Sequence, residues 1–267
     1  MEFIYGKKLD LKQKLSEILS EIEELIDEDE DIYDLLCNIP DELWEDRYCS
    51  LTLIETIFDN AGYISEYYAP CEFIPDSFWD DIEMAKAAII TIGVNSNKFN
   101  INEIFPRRCF HNKEILSEIL YYNSDALYYA SKDLQGDPSI VIRALYSLEN
   151  KIEERHKECE YNWNLSLLDP RKCLVLLFDN VSEVLKSDKE FILEVLEHNC
   201  FEDAFDFIYS WIDENLWENE EFVIEVLKID FNAIEFVSNA LTSNEAFLKK
   251  LATEIDYDIE DIKSSLK

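Results

Sequence analysis

The sequence predicts an all-α protein, an elongated, α-solenoid-like stack of short helix pairs. Glycine and proline are scarce, with 4 and 6 among 267 residues, whereas proteins rich in tight β-turns use more of both. The chain is 48% hydrophobic and 13% aromatic, which favours a folded core over disorder. Segments with helical periodicity that begin with Asp or Asn recur along the chain, as is typical of stacked helical repeats.

Residues 1–36 are predicted to form an acidic N-terminal helical segment. The alternating acidic residues at 27–31 resemble a calcium-binding loop in their spacing alone. Such a loop needs Gly at its sixth position and Glu at its twelfth, where this chain has Ile32 and Asn38. The sequence therefore does not favour calcium binding here.

Residues 37–110 are predicted to form divergent helical repeats. Residues 39–46 resemble residues 74–81 at an offset of 35 positions, and each segment holds one tryptophan and ends on an aspartate. Residues 104–106 resemble the beginning of both, as a degraded third copy. The apolar runs that follow the two aspartates are predicted to be helices.

Residues 111–267 are predicted to form a helical repeat array. Residues 188–196 align with residues 219–227 at five identical positions of nine. Related segments begin at Asn112, Asp137 and Asn244. Asp and Asn are good N-caps, because their side-chain oxygen accepts backbone N–H groups of the first helical turn.

A second helix is predicted after each first helix, and residues 202–208 are read as the same helix after a slightly longer turn. Residues 125–131 match residues 232–238, and the alanine of each lies 14 positions after its cap. The next cap follows 25 positions after the first in both cases. The matched spacing favours stacked repeats; the alternative is an irregular helical domain in which similar caps arose by chance.

The repeats also resemble a known family through residues 126–131, Leu134, Asp137 and residues 140–145, with a less faithful copy at 233–244. That family consists of short bacterial helical repeats catalogued as a domain of unknown function. The resemblance covers roughly the C-terminal 155 residues. It implies an all-helical repeat fold and no known catalytic residue. Asp and Glu often replace the basic residues usual in the family, so a binding preference does not carry over.

The net charge of −35 is unevenly distributed along the chain. It is −18 over residues 1–97, −1 over residues 98–175 and −16 over residues 176–267. Such an acidic excess repels nucleic acid and anionic membranes and attracts basic surfaces. In the neutral middle section, Arg107 with Arg108 and Arg171 with Lys172 are predicted to form structural ion pairs or a contact between subunits.

The sequence favours neither an enzyme nor a bound metal or cofactor. Of the three histidines, only His156 lies three residues from a cysteine, Cys159, and a structural zinc site needs four ligands. Phosphate-binding glycine loops and nucleophile elbows are absent from the sequence. The seven cysteines form no CxxC pair, no signal peptide is recognisable, and no apolar run reaches membrane-spanning length. We therefore expect buried, inert thiols in a cytoplasmic protein.

The charge predicts a non-enzymatic, protein-binding inhibitor that mimics nucleic acid and blocks a basic nucleic-acid-handling protein. Two settings fit: a phage or mobile-element protein that counters a host defence nuclease, such as an anti-CRISPR protein, or an immunity protein against a nuclease toxin. The alternatives are a helical-repeat scaffold whose acidity serves solubility and, least favoured, an enzyme with its site between repeats.

The partner is expected to be a nuclease or effector with a basic groove, while direct binding to nucleic acid or to a membrane is not expected. Wrap-around contact by the two acidic segments is one arrangement, and a homodimer through the neutral middle is the other. The predicted partner-binding residues are acidic and fall in two clusters: Glu23, Glu24, Asp27, Glu28, Asp29, Glu30 and Asp31, and Glu202, Asp203, Asp206, Asp213, Glu214, Glu218 and Glu220.

Overall fold

The computed structural model describes residues 2–28, 30–60, 70–93, 101–161 and 169–265. Throughout these ranges the regular elements are α-helices and 3-10 helices, and strands are absent. The all-α prediction is confirmed, while the solenoid arrangement stays a prediction. Contacts within the chain divide it into two compact units, Met1–Ala130 and Ser131–Lys267. The boundaries of the three segments that the sequence suggests stay predictions.

The N-terminal unit, Met1–Ala130, contains α1 to α8. These are α1 (Glu2–Asp27), α2 (Tyr33–Cys37), α3 (Asp41–Glu45), α4 (Arg47–Asp59), α5 (Asp76–Asp80), α6 (Ile82–Gly93), α7 (Ile101–Ile104) and α8 (Lys113–Tyr122), with 3-10 helices at Pro70–Phe73, Arg107–His111 and Ser124–Tyr129. Helix α4 packs against α6, and α6 packs against α8. Helix α1, which carries most of the acidic N-terminal segment, packs against both α3 and α4.

Helices α4, α6 and α8 begin at side-chain caps. Asp46, Asp81 and Asn112 each accept the backbone N–H groups two and three residues further on, at 3.0–3.2 Å. These bonds satisfy donors that the helix itself leaves unpaired. Each cap is preceded by a short helix that follows a proline: α3, α5 and the 3-10 helix Arg107–His111. The three copies read from the sequence therefore share one local structure.

The C-terminal unit, Ser131–Lys267, contains α9 to α17. These are α9 (Lys132–Gln135), α10 (Pro138–Tyr161), α11 (Pro170–Phe178), α12 (Lys189–Leu196), α13 (Phe205–Trp211), α14 (Glu220–Ile229), α15 (Asn239–Thr242), α16 (Glu245–Glu254) and α17 (Ile259–Ser265), with 3-10 helices at Glu183–Ser187, Asn199–Ala204, Glu214–Glu218 and Phe231–Phe236. Helices α10, α12, α14 and α16 pack in sequential order, each against the next.

Backbone hydrogen bonds join successive repeats of the C-terminal unit. The N–H group that precedes one short helix donates to a carbonyl of the short helix of the preceding repeat. The three bonds run from Ser182 to Gln135 at 2.9 Å, from Asp213 to Lys186 at 3.0 Å and from Ser238 to Trp217 at 3.1 Å. These three bonds link four short helices in series: α9, the 3-10 helices Glu183–Ser187 and Glu214–Glu218, and α15.

Two of the second helices predicted from the sequence are 3-10 helices, Ser124–Tyr129 and Phe231–Phe236, and not α-helices. Ser131 and Ser238 follow closely in extended conformation, and each side-chain oxygen accepts the N–H three residues later at 3.4 Å. Each of these 3-10 helices is six residues long, and the tighter i to i+3 pattern suits so short a helix. The third predicted second helix, at residues 202–208, spans the end of the 3-10 helix Asn199–Ala204 and the beginning of α13.

Across the described residues, none of the helices combines the length and the apolar character that crossing a membrane requires.

Candidate acidic binding surfaces

An acidic groove lies between α1 and α4 in the N-terminal unit. Its open volume is about 500 Å³, and its lining includes the apolar side chains of Leu19, Ile22 and Ile26 from α1. Helix α1 also places the carboxylates of Glu23 and Asp27 on the groove, and α4 adds two more. We call this feature the α1–α4 groove. Two of the partner-binding residues predicted from the sequence thus line one concave surface.

The α4 side of the groove carries two acidic residues that the prediction missed, Glu55 and Asp59. They are spaced i, i+4, as Glu23 and Asp27 are, so each pair points to one face of its helix. Their i, i+4 spacing within the helix predicted after Asp46 could have identified both residues from the sequence. Only packing of α4 against α1 shows that the two pairs share a groove.

The carboxylates of the α1–α4 groove suit a cationic partner. Glu23, Asp27 and Glu55 are exposed, and none of the described basic side chains forms an ion pair with them. Like charges at i, i+4 destabilise a helix by about 0.2–0.5 kcal/mol per pair, which a bound cation would relieve. Groups of three or more potential metal ligands are absent from the described part of the chain.

The rest of the first predicted cluster lies near the end of α1. Glu24, Glu28 and Glu30 are exposed. The carboxylate of Asp31 accepts the backbone N–H of Tyr33 at 2.8 Å and so orders the start of α2. Asp29 lies outside the described residues.

The second predicted cluster is partly engaged in internal contacts. Asp206 pairs with Arg171, which lowers the pKa of the aspartate. Asp213 accepts the N–H of Asn215 at 2.9 Å, and this bond lowers the pKa of Asp213. These two carboxylates stabilise the fold locally, so they are less available to a partner than their charge suggests.

The other acidic residues of the second cluster differ in exposure. Glu202, Glu214 and Glu218 are exposed, without an ion pair to the described basic residues. Glu220 lies 3.7 Å from the Lys250 ammonium group. The side chain of Asp203 is outside the description. Of the aromatic residues around this cluster, Phe201, Phe205 and Tyr209 are buried, whereas Phe207 and Trp211 are partly exposed.

Arg108, Arg171 and Lys172, three of the four residues in the basic pairs of the middle section, form internal ion pairs as predicted, whereas Arg107 forms none with the described acidic residues. Arg108 binds the carboxylates of Asp76 and Asp80. Arg171 binds Asp206, and Lys172 lies 3.6 Å from Asp169.

The described thiols and histidines differ in burial. Burial raises the pKa of Cys49 to about 11 and that of Cys109 to about 12, so these thiols are inert. Cys37 is exposed at the end of α2, and Cys71 and Cys173 are partly exposed, so the expectation of buried thiols was wrong for these three residues. His198 is buried in the C-terminal unit, and its Nδ1 lies 2.7 Å from a carboxylate oxygen of Glu149.

Comparison with known proteins identifies one family match. Residues 188–242 match a family described as a domain of unknown function (DUF4116). The matched segment lies within the C-terminal repeats and confirms the resemblance read from their sequence. Neither a curated protein nor a solved structure matches the chain.

Proposed function

We propose that this protein is a non-enzymatic inhibitor that uses acidic surfaces to mimic nucleic acid and to block a basic nucleic-acid-handling protein. The α1–α4 groove supports this proposal, because Glu23, Asp27 and Glu55, which form no ion pair with the described basic side chains, lie there beside apolar side chains of α1. A basic partner would place its Lys and Arg head groups on these carboxylates and their aliphatic stems on the apolar side chains.

The charge density of the surface supports this reading. Duplex DNA carries one negative charge per about 1.7 Å of helix axis. Acidic residues one helical turn apart place carboxylates about 5–6 Å apart on each helix, and two facing helices double that density. Met1–Ala130 holds 28 acidic and 10 basic residues, and Ser131–Lys267 holds 31 and 14, so the net charges are −18 and −17. Both units would steer a basic partner by long-range attraction.

The proposed partner is a nuclease or effector whose positively charged groove binds nucleic acid. Phage or mobile-element defence against a host nuclease, as by an anti-CRISPR protein, and immunity to a nuclease toxin are the two settings that this chemistry suits. Both place the protein in the cytoplasm. Contact by both acidic segments with one partner, or a homodimer through the neutral residues 98–175, completes the proposal.

A scaffold without inhibitory action is the second candidate. The ion pairs of Asp206 with Arg171 and of Glu220 with Lys250 favour this candidate, because they show that part of the second cluster stabilises the repeats. In that case the remaining acidic residues serve solubility.

The test is capture of the partner at low salt by a matched pair of triple variants. One variant combines Glu23→Gln, Asp27→Asn and Glu55→Gln in the groove, and the control combines Glu17→Gln, Asp34→Asn and Glu83→Gln on other exposed sites of the same unit. We expect wild type and control to capture a basic nucleic-acid-binding protein and to inhibit its activity. The groove variant should bind at least about tenfold more weakly.

Duplex DNA should compete for the captured protein, and about 1 M salt should release it, since screening weakens contacts between exposed charges. Failure to capture any basic nucleic-acid-binding protein, or equal binding by the two triple variants, would refute the proposal. Capture of a partner that the protein does not inhibit would favour the scaffold.

A further inference from the structure

The three proline-led copies of the N-terminal unit can be compared position by position. In each copy the capping residue lies six positions after the proline: Pro40 and Asp46, Pro75 and Asp81, and Pro106 and Asn112. Because both ends of the segment match, the residues between them occupy equivalent places.

An arginine joins the second copy to the third. The guanidinium group of Arg108 binds the carboxylate of Asp76, and its Nη1 lies 3.3 Å from a carboxylate oxygen of Asp80. The same Nη1 donates to the backbone carbonyl of Asp76 at 3.3 Å. One guanidinium group thus satisfies two carboxylates and a carbonyl of the preceding copy.

The boundary between the first and second copies lacks this arginine. Ser77 occupies the place of Arg108, and Asp41 and Glu45 occupy the places of Asp76 and Asp80. Asp41, Glu45 and Ser77 are all exposed, and within the described chain neither carboxylate has an ion pair or a side-chain hydrogen bond. The first copy therefore offers the same two acidic positions without an internal cation.

A groove lies where the missing guanidinium group would sit. It has an open volume of about 440 Å³ and is lined by Asp41, Trp44, Glu45, Pro75, Ser77 and Phe78, among others. The rings of Trp44 and Phe78 stand edge to face, with centroids 6.3 Å apart. We call this feature the Ser77 groove. Its acidic rim and its aromatic side chains match the head group and the aliphatic stem of a long basic side chain.

We propose that the Ser77 groove binds the guanidinium group of an arginine supplied by a basic partner protein. Arg108 shows how an arginine engages this arrangement in the neighbouring repeat. Arginine fits better than lysine, because its planar fork can donate to two carboxylates and a carbonyl together. The inference rests on the proposed function for the nature of the partner and adds the residue type that the partner presents.

The first test is calorimetric titration with a short peptide that carries one arginine between uncharged residues, at about 0.15 M salt to screen non-specific attraction. Ser77→Arg should fill the groove from within and weaken peptide binding about tenfold, a loss comparable to one charge-assisted contact. Ser16→Arg is the matched control, because it adds the same charge at an exposed site on α1. The control should bind the peptide as wild type does.

Two further measurements keep the test independent of any effect on folding. Glu45→Gln should weaken binding of the arginine peptide more than binding of its lysine counterpart. Ser77→Arg should raise the melting temperature more than Ser16→Arg does, since the new side chain can pair with Asp41 and Glu45.

Equal peptide binding by Ser77→Arg and Ser16→Arg would overturn the proposal, as would equal losses for the arginine and lysine peptides in Glu45→Gln. Neither result bears on the α1–α4 groove, whose triple variant tests the proposed function separately.

Discussion

At the scale of single residues, burial sets the chemistry of the thiols. Cys109 has no exposed surface, and its burial raises the pKa of the thiol to about 12 from an ordinary 9.0. Cys37 is exposed at the end of α2 and lines a surface cavity. The low-dielectric surroundings of Cys109 disfavour the thiolate, which removes it as a nucleophile at neutral pH.

The buried thiol predicts a loss of stability at alkaline pH. Between about pH 9 and 12 the folded state holds the Cys109 proton more tightly than the unfolded state, so stability present below pH 9 is lost as the pH rises. We expect this thiol to lower the free energy of unfolding by up to about 1.4 kcal/mol per pH unit. Urea unfolding between pH 8 and about 11 measures the slope. Cys109→Ala should reduce the slope, with the remainder owed in part to Cys49, and Cys37→Ala should leave it unchanged; equal slopes in both variants would contradict the assignment.

At the scale of helices, capping residues define where each repeat begins. Asn219 accepts the backbone N–H of Phe222 at 3.0 Å, and Asp188 accepts that of Phe191 at the same distance. The caps were predictable, because an N-cap is a local interaction between residues two or three positions apart. The 3-10 form of two of the second helices was not, because it depends on their short length and on how neighbouring repeats pack.

Removal of a cap should destabilise the C-terminal unit. Asn219→Ala removes the acceptor for Phe222, and we expect a loss of about 1 kcal/mol in the free energy of unfolding, within a range of about 0.5–2 kcal/mol. Chemical denaturation followed by circular dichroism measures the change. Glu235→Ala, at an exposed position of the 3-10 helix Phe231–Phe236, is the control and should cost less than about 0.5 kcal/mol. Equal losses would show that the cap does not carry the effect.

At the scale of the whole molecule, the net charge of −35 destabilises the folded chain by self-repulsion and also attracts basic surfaces. Each unit carries a similar negative excess, and the described ion pairs engage many of the basic side chains within the fold. The remaining carboxylates repel one another, because like charges in a compact chain raise its free energy. Binding of a cationic partner to this surface would relieve the repulsion between its carboxylates.

The self-repulsion predicts stabilisation by salt. Between about 0.01 M and 0.15 M NaCl the Debye length falls from about 30 Å to about 8 Å, so repulsion between distant carboxylates is screened. We expect the melting temperature to rise by a few degrees over this range, in a scanning calorimetry series. Choline chloride at the same ionic strength should give the same rise, since screening does not depend on the cation. An unchanged melting temperature would refute the account.

The sequence by itself determined the helical class, the capping residues and the two acidic clusters, because these depend on composition and on interactions between residues close in the chain. Only the tertiary structure decided which carboxylates act together. Glu23 and Asp27 meet Glu55 and Asp59 through packing of α1 on α4, and Arg108 reaches Asp80 across 28 positions.

The Ser77 groove follows the same rule. The sequence shows that Ser77 stands at the position of Arg108 in the repeated segments. Only the structure shows that Arg108 binds Asp76, so only the structure indicates that a groove beside Ser77 lacks an equivalent guanidinium group. The physical reason is the range of the forces: ion pairs and grooves form over a few ångströms in space, between segments that the sequence separates by tens of residues.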